Sequence, residues 1–180
     1  RIRPRWEQQS PEDQQAEILL NAARKAYNDR NHPFAASKFR EFLSKFGGHK
    51  EAPAGRYGLA LALIDGPERK YEEARDLLLP LAGMKDFPDR ALAGYHAGVA
   101  VRGIGLNLLA QAQAKPQDAA RLQGEAQARF NDAIPLFTAA VTALLGKVEN
   151  PADGDRLTVE AEWVARARCD LAEMQLRAGK

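Results

Sequence analysis

The chain has little cysteine: Cys169 is the only one in 180 residues, so no internal disulfide can form. A single thiol fits either a reducing cytosol or an exported protein with no bridge to make, and the compartment stays open on this ground. Long hydrophobic runs are also missing, and nothing approaches the ~18–20 apolar residues that a membrane span requires. No sign of charge dominates: 26 lysines and arginines face 24 acids, for a net charge of +2. Nucleic-acid binding would need clustered cations, and the basic residues are dispersed. Histidine is scarce. His32, His49 and His96 lie far apart, none with a second ligand three or four residues on, so no metal site is expected. Cys169 has no histidine nearby to activate it and reads as a packing residue. Gly103-Ile104-Gly105 is too short for a phosphate loop and lies within a helical pattern. Without a nucleophile paired to a base, the chain is read as non-enzymatic, with no catalytic residues and no cofactor.

Sustained two-residue alternation is absent as well, which excludes a sheet. Apolar residues make up 45% of the sequence, enough for a sizeable core in one all-α domain. Helix starts and stops are well marked. Ser10-Pro11-Glu12-Asp13 sets a hydroxyl, a proline and two acids where a helix N-terminus favours them. That helix is expected to run to about Asp29. A second opens at Asn31-His32-Pro33 and ends at Phe46 before Gly47-Gly48. A third spans about 51–64 and a fourth about 69–81, with Asp65-Gly66-Pro67 between them; Pro80 is expected to end or kink the fourth. Asp86-Phe87-Pro88-Asp89 opens a long fifth helix through Ala114. The sixth begins near Pro116 and Asp118 and runs to about Leu145, with a kink expected at Pro135. Residues 146–155 read as a loop, and the seventh helix fills 156–178. Roughly three-quarters of the chain is expected to be helical, against the usual ~30–35%.

One spacing comes back along these helices. Ala35, Phe39 and Phe42 are echoed by Tyr71, Ala74 and Leu78 and by Ala133, Phe137 and Ala140. Each set follows a helix that carries paired small or apolar residues: Ala22-Ala23, Leu59-Ala60, Ala97-Gly98; the pair Leu171-Ala172 stands on the last helix. Such a pattern is that of stacked helical hairpins, each able to bury its apolar face only against its neighbours. With Leu19 and Ala23 on the first helix, Ala35 and Phe39 on the second and Gly47 as the breaker, the pattern resembles the tetratricopeptide repeat. The string Phe39, Phe42-Leu43, Phe46 is similar to repeats of bacterial envelope proteins of the outer-membrane barrel-assembly lipoprotein and Tol-Pal coordinator type. The resemblance implies a right-handed α-α superhelix of about three and a half hairpins, covering 10–47, 50–83, 88–146 and an incomplete 151–180. The third hairpin is elongated, since Ala74 to Ala133 is 59 residues where Ala35 to Ala74 is 39.

The resemblance also implies a binding role, with the first helix of each pair lining a concave groove. Mapped on this chain, the groove takes Glu17, Leu20, Arg24, Tyr27 and Asn28 from the first repeat and Tyr57, Leu61, Ile64 and Asp65 from the second. The third supplies Leu92, Tyr95, Val99 and Arg102, and the fourth Arg166, Cys169, Glu173, Leu176 and Arg177. Tyrosine and arginine are common anchors of binding hot spots, so the expected partner is a protein helix or an extended peptide. The competing reading is that these residues pack on one another, or that the groove is filled by the chain's own continuation in a larger enzyme or envelope protein. Arg24 with Asn28 is the nearest approach to a clamp for a peptide's C-terminal carboxylate, and a solvated helix face is the preferred reading there. The Gln-Ala stretch of 110–128 is read as the tips of two long helices suited to self-association or to docking another domain. Residues 1–9, with Arg1, Arg3, Arg5 and Trp6, are read as an extended basic arm in preference to a juxtamembrane tether. The start at Arg1 suggests that a preceding segment was cleaved or cropped. The expected setting is a soluble domain, periplasmic or tethered to a bacterial membrane.

Overall fold

The structure is a computed structural model that describes residues 10–148 and 159–179. The expected arm at 1–9, the loop from residue 149 onward and the start of the last helix at 156–158 lie outside the described residues. Among the described residues the chain is all-α: seven helices and no strand, with 84% of those residues helical. The helices fall into two compact units, 1–70 and 71–180.

The first unit holds α1 (Pro11–Asn28), α2 (His32–Phe46) and α3 (Ala52–Asp65). Ser10 caps α1 as its sequence suggested, its hydroxyl accepting from Asp13 N at 3.0 Å, and Asn31 caps α2 through Phe34 N. The recurring spacing is the buried stripe of α2: Ala35, Phe39 and Phe42 are sealed against Ala16, Leu20 and Ala23 of α1 and against α3. Burying one such phenylalanine contributes about 1.5–3 kcal/mol. The rings reach α3 where it has no side chains. A Cβ on Gly55 would stand 2.7 Å from Phe42, and one on Gly58 would run into the Phe39 ring.

The second unit holds α4 (Tyr71–Gly83), α5 (Arg90–Ala114), a single 3₁₀ turn at Pro116–Asp118, α6 (Ala119–Leu145) and α7 (Val159–Arg177). Helix α5 packs on α4 and α6, and α6 packs on α7. The copy of the spacing on α6 is again a buried stripe: Ala133, Phe137 and Ala140, with Phe130 one turn before them. Phe137 lies against Gly98 and Phe130 against Gly105, where added Cβ atoms would meet the rings at 2.9 and 2.6 Å. Rising numbers on one helix meet falling numbers on the other, so α5 and α6 run antiparallel. Tyr71 of α4 occupies the equivalent gap over Gly103, at 2.7 Å. The Gln-Ala stretch is the end of this long hairpin, held by Ala112, Leu122 and Ala126.

Helix α4, expected over about 69–81, spans Tyr71–Gly83 and holds Pro80 within it on the solvent side, with the buried Leu81 in its last turn. Helix α5 opens after Asp86-Phe87-Pro88-Asp89 as expected and runs Arg90–Ala114, with Asp89 at the N-cap position but making no side-chain cap bond. The two units divide between α3 and α4, within the stretch 50–83 that the resemblance pairs as one hairpin: α3 lies with α1 and α2, and α4 with α5. The contacts explain it, since Phe39 and Phe42 hold α3 to α2 while Tyr71 holds α4 to α5.

Candidate functional site

In the first unit, the expected groove residues lie on α1 and α3. Leu20 is a core residue, 1% exposed, and is not available to a partner. Tyr27 is half-buried and donates its hydroxyl to Asp65 Oδ2 at 2.5 Å, tying the end of α1 to the end of α3. Arg24 and Asn28 are exposed, and Arg24 reaches Glu51 at 3.6 Å rather than forming a clamp with Asn28. Tyr57 and Leu61 stand half-buried on α3. At the other end of α1, His49 Nε2 meets Asp13 Oδ1 at 2.8 Å, while His49 Nδ1 accepts from Glu51 N at 3.1 Å. The accepting Nδ1 puts the neutral ring's proton on Nε2, so His49 donates to Asp13. This bond, with Ser10 second, lowers the Asp13 carboxyl below its ordinary range. Asp13 and His49 lie 36 residues apart, and no local spacing announces their contact.

In the second unit the expected groove residues are gathered into one internal network. Tyr95 is 4% exposed. Its hydroxyl donates to Asp170 Oδ2 of α7 at 2.5 Å. Arg102 Nη1 donates to Asp170 Oδ1 at 2.7 Å and to Glu173 at 3.2 Å, and Arg177 closes on Glu173 at 2.8 Å. Trp163 lies edge-on to Tyr95, with centroids 5.4 Å apart, and Arg166 stacks over Trp163 at 4.9 Å. Val99 and Leu92 pack at the border of the same core. The internal packing weighed as the alternative thus accounts for Tyr95, Arg102 and Glu173.

Asp170 and Trp163 escaped the sequence reading. On α7, Cys169 and Leu176 are exposed, Leu176 by 78%, so Cys169 does not have the packing role expected of it. The face that meets α5 is Trp163, Asp170 and Glu173, at helical spacing with Arg166 and Arg177 beside it. Its signal was the alternation of aromatic, acid and arginine along one side of the helix. Among the described residues no group of histidine, cysteine and acid could hold a metal ion, and no helix is long and apolar enough to cross a membrane.

Burial first, and the aspartate bond second, raise the hydroxyls of Tyr27 and Tyr95 above the ordinary phenol range. Folding therefore favours the protonated phenols. Their contribution is whole below about pH 10, the usual phenol value, and is lost as pH rises beyond it. In an alkaline titration followed by phenolate absorbance, Tyr27→Phe and Tyr95→Phe are each expected to remove absorbance only from the late step that accompanies unfolding. A loss from the early, reversible step would contradict the assignment.

The arrangement defines an all-α protein of packed helical hairpins. No family model matches the chain, and neither curated proteins nor solved structures give a match.

Proposed function

We propose that the chain is a tetratricopeptide-like scaffold that binds a protein helix or extended peptide and carries out no chemistry itself. The reading keeps the superhelical hairpin arrangement and the bacterial envelope setting that the sequence resemblance implies. What carries it is the side-chain set on α1 and α3: Tyr57 and Leu61 half-buried on α3, Arg24 and Asn28 exposed on α1. Aromatic and arginine side chains on such a face are the usual anchors of an interface. The aromatic-over-glycine contacts in both units support a repeat-like construction. A second reading, a non-catalytic structural or regulatory module of a larger protein, is favoured in the second unit, where Tyr95, Arg102 and Glu173 are already engaged.

Partner capture by the intact protein, read by cross-linking and mass spectrometry, tests the binding role. The combined Tyr57→Ala and Leu61→Ala variant is expected to weaken capture by about thirtyfold, as loss of a ~2 kcal/mol hot spot would, with the fold retained by circular dichroism. Undiminished capture would refute this face.

A further inference from the structure

The structure describes two non-glycine residues with left-handed backbone, and both are arginines: Arg30 at φ 60° and Arg69 at φ 46°. Both stand at the same end of the first unit. Arg30 is in the turn between α1 and α2, and Arg69 follows α3. Arginine gains nothing from this conformation, which costs a residue with a Cβ roughly 1–2 kcal/mol. Local bonds hold it: Arg30 N donates to Tyr27 O at 2.9 Å and Arg69 N to Gly66 O at 3.2 Å, with Lys70 N donating to Leu63 O at 3.1 Å. Both guanidiniums lack an acidic partner among the described residues, whereas Lys70 has Glu68 at 2.8 Å and Asp65 is held by Tyr27.

His32 lies between them. It lines a cleft of about 140 Å³ with Arg69, Arg40, Lys70 and the Glu68 that Lys70 holds, and a shallower one with Arg30 and Asp65. Its Nδ1 is shielded from solvent and has no hydrogen-bond partner. Two strained, unpaired cations beside a histidine with an unmet nitrogen form a surface arranged for an anion, since strain of this kind gathers where function holds it.

We propose that this end of the first unit binds a carboxylate-bearing segment of a partner protein, Arg69 and Arg30 each reaching an acidic side chain and the α2–α3 cleft receiving one of them. The choice of an acidic peptide as occupant rests on the protein-binding role proposed above. The cleft admits a carboxylate and a few waters at ~30 Å³ each, and arginine forks match carboxylate geometry.

The test is fluorescence anisotropy of the full chain with a short labelled polyglutamate peptide at low salt, with inorganic phosphate and a single-stranded oligonucleotide as competitors. The double variant Arg30→Gly with Arg69→Gly removes the cations and relieves the backbone, so it is expected to melt no lower than the parent. It should bind the peptide roughly tenfold more weakly, as loss of two exposed ion pairs worth about threefold to fivefold each would give. Arg121→Ser, which removes a cation from the α5–α6 tip, should leave binding unchanged. Equal peptide binding by parent and double variant, or no peptide binding by the parent, would overturn the proposal. Displacement of the peptide by the oligonucleotide, with direct oligonucleotide binding tighter than that of the peptide, would also overturn it, in favour of a nucleic-acid site. Phosphate that competes as well as the peptide, mole for mole, would overturn it in favour of a small-anion site. Tyr57→Ala with Leu61→Ala separates the two readings: it should spare polyglutamate binding while weakening partner capture.

Discussion

Tyr95→Ala is expected to destabilise the second unit by about 3–5 kcal/mol, the usual loss when a buried aromatic is cut to alanine. The ring fills the space between Phe137 of α6 and Trp163 of α7, with centroids at 5.6 and 5.4 Å. Its hydroxyl satisfies Asp170, which would keep Arg102 but lose a short bond. Tyr95→Phe isolates that bond and should cost about 1.5–3 kcal/mol, the range for a hydrogen bond to a charged group. Trp163 reports the event directly: in a Trp6→Phe background it is the remaining tryptophan, and its emission should shift to the red when α7 loosens. A Tyr95→Ala protein that keeps its melting midpoint and its Trp163 emission, yet loses a partner, would return Tyr95 to the binding groove.

Gly58→Ala is the second large effect expected, about 1–3 kcal/mol from overpacking. The new methyl would enter the ring of Phe39, which is itself 2% exposed and confined by α1 and α3. Helix propensity works the other way, favouring alanine over glycine by about 1 kcal/mol, so a net loss in chemical denaturation measures the steric term. Pairing the change with Phe39→Leu should recover part of it, with a coupling of about 0.5–3 kcal/mol between the two sites. Additive losses would mean that the ring and the glycine are not in contact.

These two sites show what was legible in advance. The stripe Ala35, Phe39, Phe42 and its copy Ala133, Phe137, Ala140 were visible as a spacing because burial on one helix side repeats every three or four residues. The partners of those rings were half visible: the pair Ala97-Gly98 stood out on α5, but Gly55 and Gly58 of α3 did not, and which glycine faces which ring depends on how far one helix slides along the other. The groove was harder still. Leu20 and Tyr95 were assigned to an open surface and are buried, because a helical wheel gives a direction and not what stands in that direction. On α7 the wheel placed Arg166 and Glu173 on one side, but it carried no sign that Asp170 would meet Tyr95 and Arg102.

The sequence by itself determined the class and the boundaries of most helices, since caps, prolines, glycine stops and helical periodicity act within a few residues. Only tertiary structure decided that α3 and α4 belong to different units, that Tyr95, Arg102, Asp170 and Glu173 close on one another, and that two left-handed arginines flank His32. Those outcomes depend on contacts between residues distant in sequence, such as Tyr95 and Asp170 at 75 residues apart. Local propensity carries no record of such pairings; packing and desolvation select them once the helices meet.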